Sequence, residues 1–119
     1  MSAPITNPPA TIASGESLSN GCYIGHGRFV SIQMPTGWDA ADLTFQGSID
    51  GVTYQDIYDF QGAEVTVKAA ASHMVTIDEF MGATWIKVRS GTGSLAVNQN
   101  ADRILTLVVQ KLTGMVGPG

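Results

Sequence analysis

The chain has 119 residues, 44% of them hydrophobic and only 13% charged, with a net charge of −4. That is enough apolar chain for one packed domain, too little for a second independent core, and too hydrophobic for wholesale disorder. The acidic balance excludes a surface built to neutralise phosphates, so nucleic acid is not an expected partner.

Met1 to Ala10 contains Pro4, Pro8 and Pro9 and no basic stretch leading into an apolar core, so no secretory signal is expected. Residues 1–20 are rich in Pro, Ser, Thr and Asn and read as an extended, mobile arm that orders on contact with a partner. On this reading, removing the arm leaves the domain folded. Cys22 has no second cysteine, which rules out an internal disulfide and multi-thiolate zinc sites and suggests a small buried thiol. His26 follows it by four residues, but neither His26 nor His73 stands in a catalytic or metal-ligating spacing.

From Arg28 onward, turn signals recur about every ten residues between β-branched and aromatic stretches, which is strand spacing. Val30, Ile32 and Met34 fall on one face and Phe29, Ser31 and Gln33 on the other, which predicts an alternating strand with one face buried. Leu43, Phe45 and Gly47 alternate in the same way, and Asp50-Gly51 then provides a tight hairpin turn. Residues 52–58 have a mixed pattern that suggests a bent or edge strand. Ala63, Val65 and Val67 predict the next strand, and His73, Val75 and Ile77 the one after. Thr84, Ile86 and Val88 face one way and Trp85, Lys87 and Arg89 the other. Ile104 to Val109 reads as a strand covered on both faces, and it is too short to cross a bilayer, so no membrane partner is expected.

Seven or eight short strands and no sustained helical period predict an all-β, antiparallel β-sandwich, jelly-roll or immunoglobulin-like. Its divisions are an arm at 1–20, the sandwich at 21–112 and a flexible tail at 113–119. Trp85, Lys87 and Arg89 form an amphipathic stripe suited to stacking a sugar or anchoring a protein, with cation–π packing between neighbours as the alternative. Tyr54 and Tyr58 are candidate stacking platforms beside it. Asp50, Asp56, Asp59 and Glu64 surround two turns; turn chemistry explains them better than calcium, since they lack a regular ligand spacing. No metal, cofactor or nucleophile–base pair is assigned, and an enzyme is not expected.

Several segments carry a resemblance. Ile32-Gln33-Met34-Pro35 with Trp38, Leu43 to Ser48, and Asp50 to Tyr54 are followed by Ile86 to Thr92, Val97-Asn98-Gln99 and Ala101-Asp102-Arg103. Together they resemble a pattern in small proteins encoded among the virion structural genes of tailed phages and prophages, over about Arg28 to Gln110. The resemblance implies a bacteriophage virion component made in the bacterial cytoplasm, such as a capsid decoration protein bound in many copies to the major capsid protein on the head exterior. A homo-oligomer fits that setting, as does a neck or tail accessory position. The Asp-Gly turn also resembles those of discoidin-like sandwiches, and this points to the alternative of a module that binds a host-surface glycan.

Overall fold

A computed structural model describes residues 5–25, 27–78 and 81–111. Among them there is no helix, and the strands are β1 (Ile5–Thr6), β2 (Pro9–Ile12), β3 (Cys22–Tyr23), β4 (Arg28–Gln33), β5 (Leu43–Ser48), β6 (Gln55–Asp56), β7 (Met74–Thr76), β8 (Trp85–Ser90) and β9 (Arg103–Gln110). His26 and the expected tail at 113–119 lie outside the described residues.

β1 and β2 pair with successive stretches of β9, from Ile5 opposite Gln110 to Ile12 opposite Arg103, so they behave as one interrupted strand. The break is bridged where the Asn7 side-chain amide donates to the Leu107 carbonyl and the Leu107 N–H donates to the Pro8 carbonyl. The pairings are then nested: β5 with β6, β4 with β7, β3 with β8, and β1/β2 with β9, all antiparallel. This is a single antiparallel ribbon folded at its middle. Two further pairings, β4 with β9 and β5 with β8, roll it into a sheet ordered β1/β2-β9-β4-β7 and a sheet ordered β3-β8-β5-β6. That nesting is the jelly-roll arrangement, which decides between the two topologies that strand spacing left open.

The core forms where the inward sides of the two sheets meet, with Ile12, Ile32, Leu43, Phe45, Leu105 and Leu107 wholly buried. Phe29 and Phe45 cross it edge to face, their centroids 5.8 Å apart at 80°. Each such side chain contributes about 1.5–3 kcal/mol of burial.

The structure corrects four expectations. The described part of the arm, residues 5–20, belongs to the domain: Ala10 and Ile12 are wholly buried and β2 is hydrogen-bonded along β9. Proline-enforced extension suits a sheet edge as well as a free arm, and Pro9 stands on such an edge. In β4 the inward set is Phe29, Ile32 and Met34, with Val30 half-buried, because the pairing with β9 shifts register between Phe29 and Ser31. The extra residue of this bulge reverses the alternation. β9 is covered on one face only, since Leu105, Leu107 and Val109 are buried while Ile104 is 56% exposed. Asp50-Gly51 is not a two-residue hairpin turn: β5 and β6 first pair at Gly47 and Gln55, and the chain between them is a broad loop.

The strands expected at 52–58 and 63–68 are much reduced. The first keeps only β6, and the second survives as isolated bridges, Tyr58 with Glu64 and Leu43 with Val67. This stretch lies across the edge of the β3-β8-β5-β6 sheet and builds the surface described next.

Candidate functional site

Side chains alternate along β8, so Ile86 and Val88 enter the core while Trp85, Lys87 and Arg89 point to the outer face of their sheet. Cross-strand pairing then fixes their neighbours. Tyr23 of β3 lies opposite Trp85, with the rings 5.1 Å apart at 62°. The broad loop after β5 folds back over the same face. Gly51, at φ +78°, lies so close to the Trp85 indole that a Cβ there would fall 2.9 Å from it. Tyr54 lies beneath the Lys87 ammonium, which is 4.4 Å from the ring centroid. Trp85 is half-buried, with an aromatic edge and a peptide backbone against it, so the stripe is packed on itself and is not an open stacking platform.

Arg89 shows the same principle more strongly. It is 8% exposed, and its guanidinium donates to Thr44 Oγ1 at 3.0 Å, Asp56 at 2.9 Å and Glu64 at 2.7 Å. Glu64 also accepts from the Gly93 N–H at 3.0 Å. One cation thereby pins β6, the 57–64 segment and the loop after β8 onto a single sheet face. The Arg89 hydrogen bond holds the Asp56 carboxyl below the usual carboxylate range, against a smaller opposing effect of burial. Arg89 is thus an internal tie, and the expectation that it is available to a partner does not hold.

The remaining acidic candidates are engaged in turns. Asp50 accepts from the Val52 and Thr53 N–H groups and from the Ser48 hydroxyl, and the two backbone bonds are the main cause of its lowered pKa. Asp59 accepts from the N–H groups of Gln61 and Ala63. Among the described residues, no three His, Cys, Asp or Glu side chains converge as metal ligands. The Cys22 thiol is buried against the Pro9 carbonyl, and desolvation pushes its pKa up to about 11.

Tyr58 is set apart from the stripe. It is 57% exposed and lines a groove of about 600 Å³ at the edge of the β3-β8-β5-β6 sheet. Gly47, Ile57 and Ala83 pack together in the groove wall, a Cβ on Gly47 falling 2.9 Å from Ala83. Ile49, Asp50, Thr53 and Gln55 complete much of the lining. Around it the chain exposes large apolar side chains: Ile49 is 86% exposed, and in the same loop and the following turn Val52 is 82% and Phe60 96% exposed.

Ile49, Val52 and Phe60 were not among the candidates drawn from the sequence. Their signal was present, because each is a large apolar residue placed in a turn, beside Asp50-Gly51 or Gln61-Gly62, where polar residues are the rule. Comparison with models of known families, with curated proteins and with solved structures returned no match.

Proposed function

We propose that this chain is a non-enzymatic structural protein that attaches to other proteins through the groove and the apolar segment from Ile49 to Phe60. The observation that carries this reading is the exposure of Ile49, Val52, Tyr58 and Phe60 within twelve residues of chain. Contiguous exposed apolar side chains mark interaction surfaces, and aromatic anchors at a groove are the usual centre of binding energy. Around them Arg89, Asp56, Glu64 and Asp50 are engaged in holding the fold, which gives a rigid support with little ordering cost on binding.

The sequence resemblance supplies the setting: a tailed-phage particle, with the chain as a capsid decoration protein in many copies and the shell protein as partner. The jelly-roll topology is compatible with this role, being one that viral capsid and lectin domains use, though a fold alone does not fix function. Many weak, equivalent contacts would stabilise a shell without any single strong site.

The test is co-sedimentation of the purified chain with particles assembled without it. Phe60→Ser and Ile49→Ser each remove an exposed anchor worth about 1.5–3 kcal/mol when buried, so each is expected to weaken attachment roughly tenfold or more. Attachment equal to wild type for both variants would exclude this surface. Tyr58 beside Gln55 and Thr53 also favours a second reading, a glycan stacked in the groove. Glycan-array binding that is abolished by Tyr58→Ala, without particle attachment, would select it.

A further inference from the structure

β2 stands at the outer edge of its sheet, and the backbone groups of alternate residues there turn away from β9. The Leu107 N–H donates to the Pro8 carbonyl, so Pro8, Ala10 and Ile12 face β9 while Pro9 and Thr11 face outward. Both outward groups end on one side chain. The Thr11 N–H donates to Asn20 Oδ1 at 2.7 Å, and Asn20 Nδ2 donates to the Pro9 carbonyl at 3.4 Å. The Asn20 amide thus takes the place that the peptide of a further strand would take, and it closes an open sheet edge. The same Nδ2 donates to the Gly21 carbonyl at 3.2 Å and lies 3.9 Å from the Cys22 sulfur, whose thiol is held against the Pro9 carbonyl at 3.5 Å.

This fastening is chemically labile. Of the four asparagines, Asn20 alone precedes a glycine; Asn7 precedes Pro8, which has no N–H, and Asn98 and Asn100 precede residues whose side chains crowd the backbone nitrogen. Cys22 pairs with Ile86 and the Ile24 N–H donates to the Thr84 carbonyl, so the N–H groups of even-numbered residues face β8 and that of Gly21 faces away. Packing demands the glycine, because a Cβ there would overlap the Tyr54 hydroxyl. Asp50-Gly51 is the contrast. There the Gly51 N–H donates to Ser48 Oγ at 2.8 Å, and the Asp50 carboxylate accepts from Ser48, Val52 and Thr53.

We propose that Asn20 is a site of spontaneous deamidation, and that its conversion to a carboxylate unfastens β2 from the rest of the domain. The Gly21 nitrogen attacks Asn20 Cγ, its proton leaves with the side-chain nitrogen as ammonia, and a succinimide ring closes. Water then opens either carbonyl of the ring, giving aspartate or isoaspartate. Each product puts an anionic oxygen where Nδ2 faced the Pro9 and Gly21 carbonyls, so acceptor opposes acceptor. Isoaspartate also lengthens the backbone by one carbon just before β3. The reaction needs only water, advances with the age of the molecule, and is independent of the docking surface proposed above.

Mass spectrometry of the full chain, kept folded at pH 8, tests this. Trypsin first cuts after Arg28, and fragmentation of peptide 1–28 is expected to place a gain of one mass unit at Asn20, as two separable isomers, ahead of any change at Asn98 or Asn100. Asn20→Gln keeps an amide but must close a larger ring, and it is expected to stay unconverted. Cys22 gives the second readout. Its reaction with Ellman's reagent is expected to run roughly tenfold faster in the converted fraction, separated by its added negative charge, and in Asn20→Asp, because the opening that uncovers the thiol has lost one or two hydrogen bonds. An Asn20 that stays intact while the urea-unfolded chain converts there, or conversion at Asn98 or Asn100 in its place, would overturn the site. Equal Cys22 reactivity in converted and unconverted chains would overturn the unfastening.

Discussion

Replacing Arg89 by Met keeps most of the side-chain stem and removes the charge that ties three segments to one sheet face. The change deletes hydrogen bonds to Thr44, Asp56 and Glu64 and leaves two carboxylates without their cation. Breaking a fully buried pair costs about 3–5 kcal/mol. Here the carboxylate side chains keep 31% and 18% exposure and recover some hydration, so the expected loss is nearer 2–3 kcal/mol. For a domain of this size that lowers Tm by roughly 10–15 °C. The sign of the pH dependence follows from Asp56, whose folded pKa the Arg89 hydrogen bond holds below the ordinary carboxylate value. Its stabilisation is therefore present above the unfolded pKa and lost as pH falls through the folded one. In Arg89→Met that contribution is absent and the carboxylates repel, so the deficit is largest near neutrality and shrinks below about pH 4. Urea unfolding of both proteins from pH 3 to 7 measures this. A deficit under about 0.5 kcal/mol, or one that does not change with pH, would refute the tie.

Three further predictions concern the fold. Ile12→Ala empties a wholly buried site and is expected to cost about 2–4 kcal/mol by chemical denaturation, with deletion of residues 1–12 abolishing cooperative unfolding; a stable truncated domain would show that β2 is dispensable. Gly51→Ala meets both a φ of +78° and the Trp85 ring, so a loss of about 1–3 kcal/mol with a shift in tryptophan emission is expected, and neutrality would contradict the close approach. The Cys22 thiol, with its pKa raised to about 11, stays protonated at pH 8, so Ellman's reagent is expected to react only as fast as the chain opens; immediate reaction of the folded protein would contradict its burial.

What the sequence made legible was the local pattern. β5 and β8 are strands of the expected phase because each alternates without interruption, and Trp85, Lys87 and Arg89 do share an outward side. β2 was hidden because Pro9-Ala10-Thr11-Ile12 sits in a Pro/Ser/Thr-rich stretch, where only two inward side chains, Ala10 and Ile12, of very different size, give little periodic signal. The β4 bulge could not be read from one strand, since a bulge is a property of its pairing with β9. Arg89 was misjudged for a related reason: an outward charge is solvated unless another segment covers it, and the cover comes from Asp56, Glu64 and Gly93, far away in sequence or across a turn. The groove depends in the same way on long-range packing of Gly47 against Ile57 and Ala83.

The proposed role is tested most directly by cryo-electron microscopy of particles produced from the genome that encodes this chain. The expected result is the jelly roll at symmetry-related positions, with the Ile49–Phe60 segment against a neighbouring shell protein. Particles that lack the chain, or carry it with that segment turned to solvent, would contradict it.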